Sequence, residues 1–454
     1  MKKFFESGKK VLLSFFVMGM LLSLDAVDHS PSFAQTTTTQ SSAAGGPAYK
    51  PVDMDSMLLT NSPEERALIS AFVEKARKMA VSLAAKGYQI NLNGRLDFLD
   101  PQTLETEKKK YKWKKPSPFG NDPEVVTQLT ADAIMAYSQE GVEVAVKHFL
   151  GTMWPTGDSH YRVLKFNGDI TPHLQAYQKT IQSGASWVML GHIIVPEISS
   201  NRPMSVSPEG IRYLRETLKF KGMVIADDFF NMNGILDYYR DEHGKKSKPD
   251  QITAAVKDFI LSGGDLFISV DPKILAENVL PEITNAVNAD PHGELAQKIN
   301  EAATRIFNKK AALFGEEWMN RHLDEKDARL PINERIEKLV NHLSMNLKLA
   351  QMIFLHFPEG TPLDRKYHEA FYAFMGGLII DNPGNLEIFK SKEFFIPPFR
   401  AVHRYLIGTK EAGEEFGTAY ERLLKKIRSQ EQGIVMTAPG GVGEDGNLKL
   451  CIYF

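Results

Sequence analysis

The sequence predicts an α/β protein built on a (β/α)8 TIM-type barrel. Two patterns lead there. Short runs rich in β-branched and aromatic residues alternate with helical stretches, and polar residues able to do chemistry gather where those runs end.

Taken in order, the first element is a helix over residues 63–86, whose apolar positions recur at helical spacing until Gly87 stops them. Five strands follow, at 90–98, 142–149, 187–195, 222–227 and 265–270, each separated from the next by enough chain for a helix. Three further apolar runs, at 351–357, 376–381 and 396–403, supply the remaining strands of an eight-stranded barrel. Periodicity alone equally allows residues 340–454 to form a small separate domain.

Composition narrows the class of partner. Lys and Arg total 54 against 56 Asp and Glu, a net charge of -2, which gives no footprint for nucleic acid or an anionic membrane and fits a neutral substrate. The single cysteine, Cys451, excludes an internal disulfide framework or a thiolate metal site. The histidines are scattered along the chain, so neither a metal nor a cofactor is expected. Residues 1–34 read as a secretory leader: Lys2, Lys3, Lys9 and Lys10 precede an apolar run at 11–24, and Ser32-Phe33-Ala34 offers a cleavage site. That run is shorter than the roughly 20 residues that span a bilayer, so no lasting membrane anchor is expected and the mature protein should be periplasmic or secreted. Residues 35–62 form a polar, low-complexity linker, and the folded part is expected at 63–454.

Two segments carry the chemistry. The first, KHFLGTMWPTGDSH at 147–160, leaves a strand and should lie on the C-terminal rim of the barrel. Its Asp158 and His160 are spaced so that the carboxylate can orient the imidazole for proton transfer near neutral pH, although such a pair taken alone is more often a solvated loop. The second, KGMVIADD at 221–228, ends a strand in two carboxylates. A carboxylate held by the rigid end of a strand is what a retaining glycosidase needs for attack on an anomeric carbon, while a neighbouring acid can equally be a helix cap. Trp113 within KKKYKWKK reads as a charged, solvated face, and GGVG at 440–443 as a turn.

Together these segments resemble glycoside hydrolase family 3. Residues 147–160 are similar to that family's K-H-F-P-G-H-G pattern followed by D-S-H, and residues 185–232 resemble its histidine-containing strand, helix and nucleophile strand in the same order. The D-S-H element is similar to the β-N-acetylglucosaminidase branch, in which an Asp-His pair replaces the usual carboxylic acid. The resemblance implies Asp227 as nucleophile, Asp158 and His160 as acid/base pair, and Lys147, His148, Asp97 and His192 as residues of the sugar site. It implies a carbohydrate substrate such as a cell-wall or chitin-derived glycan, with removal of terminal β-linked N-acetylglucosamine.

The departures from the pattern matter too. Leu150, Thr152 and Met153 replace Pro, His and Gly, and Ser117 stands where a sugar-binding Arg is usual, a change that removes a bidentate donor for which Lys115 is a possible substitute. His403 and Tyr405 replace an Asp and a Glu, and one extra residue follows Asp227 before Met232. The segments that resemble the family's first strands come last here, at 346–410, which implies a circularly permuted barrel with its new joint near 318–345. A weakly active glycan-binding relative, or a β-glucosidase, is the alternative reading.

Overall fold

The computed structural model describes residues 62–98, 117–151, 153–154, 157–241, 243–244, 247–360, 374–382, 385–386, 389, 394 and 396–434. The expected leader, the linker up to residue 61, Lys115, Trp113, Thr152, the 440–443 turn and Cys451 lie outside the described residues. Among the described residues no helix is long and apolar enough to cross a membrane.

Helix α1 (Pro63–Ala85) starts where the sequence places it, because Ser62 Oγ accepts from Glu65 N at 3.2 Å and Pro63 stands at the first turn. It ends at Gly87, whose φ of 84° is the left-handed value that favours glycine. The chain then runs through eight barrel strands: β1 (Ile90–Arg95), β2 (Glu143–Phe149), β3 (Trp187–Leu190), β4 (Met223–Ala226), β5 (Leu266–Ser269), β6 (Ile353–Phe357), β7 (Gly377–Ile380) and β8 (Phe399–Val402). Each pairs in parallel with its sequence neighbours, and β8 closes on β1 through Ile90↔Ala401 and Asn91↔Val402. Strands β6 to β8 therefore belong to the same sheet as β4, and no separate C-terminal domain holds them.

The strands are shorter than the apolar runs, for local reasons. The run at 187–195 stops pairing in the barrel at Leu190, and Ile193–Ile194 joins a second small ladder with Leu164–Lys165. At 396–403, Pro397 and Pro398 bring no N–H to the ladder, so β8 begins at Phe399.

Trp187, Phe354 and Phe399 fill the inside of the barrel, with Trp187 edge-on to Phe399 at 5.1 Å between ring centroids. All three are fully buried, each contributing ~1.5–3 kcal/mol of transfer free energy. After β8 the helix α2 (Lys410–Ile434) returns beside α1: Phe416 meets Phe72 at 5.6 Å and Tyr420 donates to Glu65 Oε1 at 2.9 Å. Because all eight strands are parallel, every residue just beyond a strand faces one common rim.

Candidate active site

Asp227 is the first residue past β4, with its N–H bonded to Leu190 O at 3.2 Å, so its position is set by two strands rather than by a loop. Its side chain is 16% exposed. Oδ1 accepts from Asp228 N at 2.9 Å, and Oδ2 lies 3.4 Å from His148 Nε2. Burial alone would raise its pKa, but electrostatic interaction with His148, His192 and Lys147, together with the Asp228 N–H bond, outweighs that and holds the carboxyl well below the usual carboxylate range. Asp227 is therefore an anion throughout the neutral range.

The register of β2 explains His148. Pairing with β3 is regular from Ala145 to Lys147, shifts before Phe149, and the peptide bonds Lys147–His148 and Phe149–Leu150 are cis. Asp97, two residues past β1, meets His148 in this irregular stretch. His148 Nδ1 lies 2.9 Å from Asp97 Oδ2, and His148 N donates to Asp97 Oδ1 at 3.3 Å. One buried imidazole thus joins two aspartates, with Asp97 fixing the ring that faces Asp227. Lys147 is buried beside them; burial first, and then Arg95, lower its pKa to about 8, while Asp227, Asp97 and Asp381 act in the opposite direction.

His192 has a different task. Its Nδ1 lies 2.8 Å from Ser205 Oγ and its Nε2 3.1 Å from the Asp228 carbonyl, so the ring donates from Nε2 and accepts the serine hydroxyl at Nδ1. Burial pushes it down to about 4, which keeps it neutral. It is fully buried and ties Ser205 to the backbone that follows Asp227. The bend that delivers it needs Gly191, since a Cβ there would lie 2.5 Å from Gly151 O.

The segment carrying the acid/base candidates is tied to the same loop. Gly234 N donates to Ser159 O at 2.8 Å and Asn233 N to His160 O at 3.2 Å. A Cβ on Gly234 would come within 2.5 Å of Ser159 O, so the close approach requires glycine. His160 itself is exposed. Asp158 pairs through its backbone with Met153, while its side chain lies outside the described residues. Ser117, in the place of the missing Arg, is buried and accepts from Phe119 N at 3.2 Å, so it shapes a turn.

Asp228 points elsewhere. Its Oδ1 accepts from Phe230 N at 2.7 Å, and burial raises its pKa to about 7, helped by the negative charge of Asp227. Because the folded pKa lies above the ordinary 3.8, the folded state holds the extra proton, and Asp228 makes stability fall as pH rises from about 4 to about 7. Asp228→Asn should remove that part of the slope, so its melting temperature should fall less than that of the parent over this window. Identical pH slopes for the two proteins in thermal melts would contradict the assignment.

Sequence reading missed a second group. His356 in β6, Asp381 just past β7 and His403 just past β8 come from scattered positions and converge on the rim. His356 Nε2 lies 2.9 Å and His403 Nδ1 3.4 Å from Asp381 Oδ2, while Asp381 Oδ1 accepts from His403 N at 2.7 Å. Burial opposes ionisation of Asp381, but the hydrogen bonds with His356 and His403 hold it well below the usual carboxylate range. The signal available in the sequence was a polar residue at or just beyond the end of each of three successive strands.

The comparison that decides the family is the match of the glycosyl hydrolase family 3 N terminal domain to residues 54–308. The chain belongs to that family. Family membership covers β1 to β5 and every residue of the first constellation, from Asp97 to Asp227, whereas β6 to β8 and the second group lie beyond the match. The chain is 27% identical over 207 residues to the beta-hexosaminidase LpqI of Mycobacterium bovis, covering 42% of this chain and 48% of that protein. It is 33% identical over 116 residues to a beta-hexosaminidase of Stenotrophomonas maltophilia, covering 24% and 34%. It thus spans about half the length of the first relative and about a third of the second. Among solved structures, a beta-N-acetylhexosaminidase from Beutenbergia cavernae aligns with a TM-score of 0.45 at 21% identity, over 53% of this chain and 68% of that one.

Proposed function

We propose that this family 3 protein is a retaining glycoside hydrolase that removes terminal β-linked N-acetylglucosamine from cell-wall or chitin-derived glycans. The observation that carries the reading is a carboxylate at the end of β4, held 3.4 Å from the imidazole of the Asp97–His148 pair. In the first half-reaction an Asp227 oxygen bonds to the anomeric carbon as the glycosidic C–O bond breaks, and the leaving oxygen takes a proton from His160. In the second, His160 accepts a proton from water, whose oxygen attacks the anomeric carbon and frees Asp227 with the original configuration restored. Asp158 orients the imidazole, Lys147 donates to sugar hydroxyls, and His148 Nε2, 3.4 Å from Asp227, is the ring nitrogen that can share its hydrogen with them. Names of relatives support the hexosamine preference.

With the expected leader at 1–34, the site of action is the periplasm or the medium. The chain order is proposed to be a circular permutation, since the family match ends at 308 while three barrel strands follow it.

The test is hydrolysis of aryl N-acetyl-β-glucosaminide set beside aryl β-glucoside. Turnover of the first at well above the rate of the second supports the proposal. Preference for the glucoside would move the specificity, and absence of turnover with measurable sugar binding would establish the binding-protein reading instead.

A further inference from the structure

From the convergence of His356, Asp381 and His403 we propose that the barrel rim holds a divalent transition metal of the zinc class. The ligand atoms are His356 Nε2, His403 Nδ1 and Asp381 Oδ2, which all lie within 4.8 Å of one another. Metal–ligand bonds of about 2.0–2.1 Å in tetrahedral geometry place ligand atoms about 3.3 Å apart. The two contacts to Asp381 Oδ2, at 2.9 Å and 3.4 Å, bracket that value. Two imidazoles and one carboxylate are a donor set that suits zinc, with a fourth position left open.

The supports of these ligands are those of a built site. Each comes from, or directly follows, a different one of three adjacent barrel strands, so the spacing is set by the β6–β7–β8 register. Asp381 Oδ1 is fixed by the His403 N–H, leaving Oδ2 turned toward both rings. The Asp381 carbonyl is held in turn by Arg404 at 2.9 Å, and the two rings lie 4.9 Å apart. On binding, the metal takes the place of the hydrogens shared with Asp381, and each imidazole carries its hydrogen on the other ring nitrogen.

The site is a neighbour of the first constellation: Asp381 acts electrostatically on Lys147, and His356 on Asp228. The fourth position accordingly faces water or a hydroxyl of a bound sugar. Only the sugar contact rests on the glycosidase proposal; metal binding does not.

The experiment uses the full chain, stripped with a chelator and titrated with zinc chloride alone by calorimetry, and with cobalt(II) by visible absorption. One zinc per chain, a tetrahedral cobalt spectrum and a zinc-dependent rise in melting temperature are expected. His403→Ala and Asp381→Asn, checked for folding by circular dichroism, should each bind zinc at least about 100-fold more weakly. His342→Ala, at an exposed surface position, should bind like the parent. Absence of zinc binding by the parent overturns the proposal, as does parent-like affinity in both folded rim variants. Loss of binding in His342→Ala would place the metal elsewhere and overturn it too.

Discussion

Asp227→Asn is expected to reduce kcat/KM by about four orders of magnitude or more, because it removes the oxygen anion that forms the covalent intermediate. The fold should survive, since the amide oxygen can still accept from Asp228 N and the side chain keeps its size. Asp228→Asn sets the comparison. Its carboxyl is already raised to about 7 and accepts a backbone N–H that an amide oxygen can also accept, so a loss below about tenfold is expected. Kinetics of both variants with one aryl glycoside decide the matter: equal losses, or a dead Asp228→Asn beside an active Asp227→Asn, would reverse the roles.

His160→Ala should produce the second large effect, and one that depends on the leaving group. A sugar alkoxide is a poor leaving group without a proton, so a natural glycan should lose about 10²–10⁴ in rate, the usual contribution of general acid catalysis. An acidic phenol leaves without help, and its glycosylation step should hardly change. Asp158→Asn should give a milder form of the same pattern, since the ring remains but its orienting charge is gone. The measurement is kcat/KM across a series of aryl N-acetyl-β-glucosaminides of graded phenol acidity. Equal slowing of good and poor leaving groups would exclude His160 as the acid.

Much of this was legible in the sequence because strand-end chemistry is written locally. KGMVIADD shows an apolar strand running into its carboxylates, and the structure ends β4 at Ala226 with Asp227 next. The eight apolar runs likewise supply the eight strands, since buried parallel strands have a plain hydrophobic signature. Two things were not legible. Asp97 and His148 are 51 residues apart, and only the β1–β2 pairing with its register shift brings the imidazole between two aspartates. His356, Asp381 and His403 are separated by 25 and 22 residues and meet only because three adjacent strands end at one level. His403 in particular read only as the replacement of an Asp, whereas on the rim it is one member of a new cluster.

The most direct test of the central claim is to catch the sugar on the protein. The His160→Ala protein lacks the base that activates water, so an aryl N-acetyl-β-glucosaminide with an acidic phenol should let the glycosyl-enzyme accumulate. Acid quenching, proteolysis and mass spectrometry should then find one N-acetylhexosamine on the peptide that follows Lys221, with fragmentation assigning it to Asp227. A sugar on Asp228, or no adduct together with an α-configured product by proton NMR, would contradict the account.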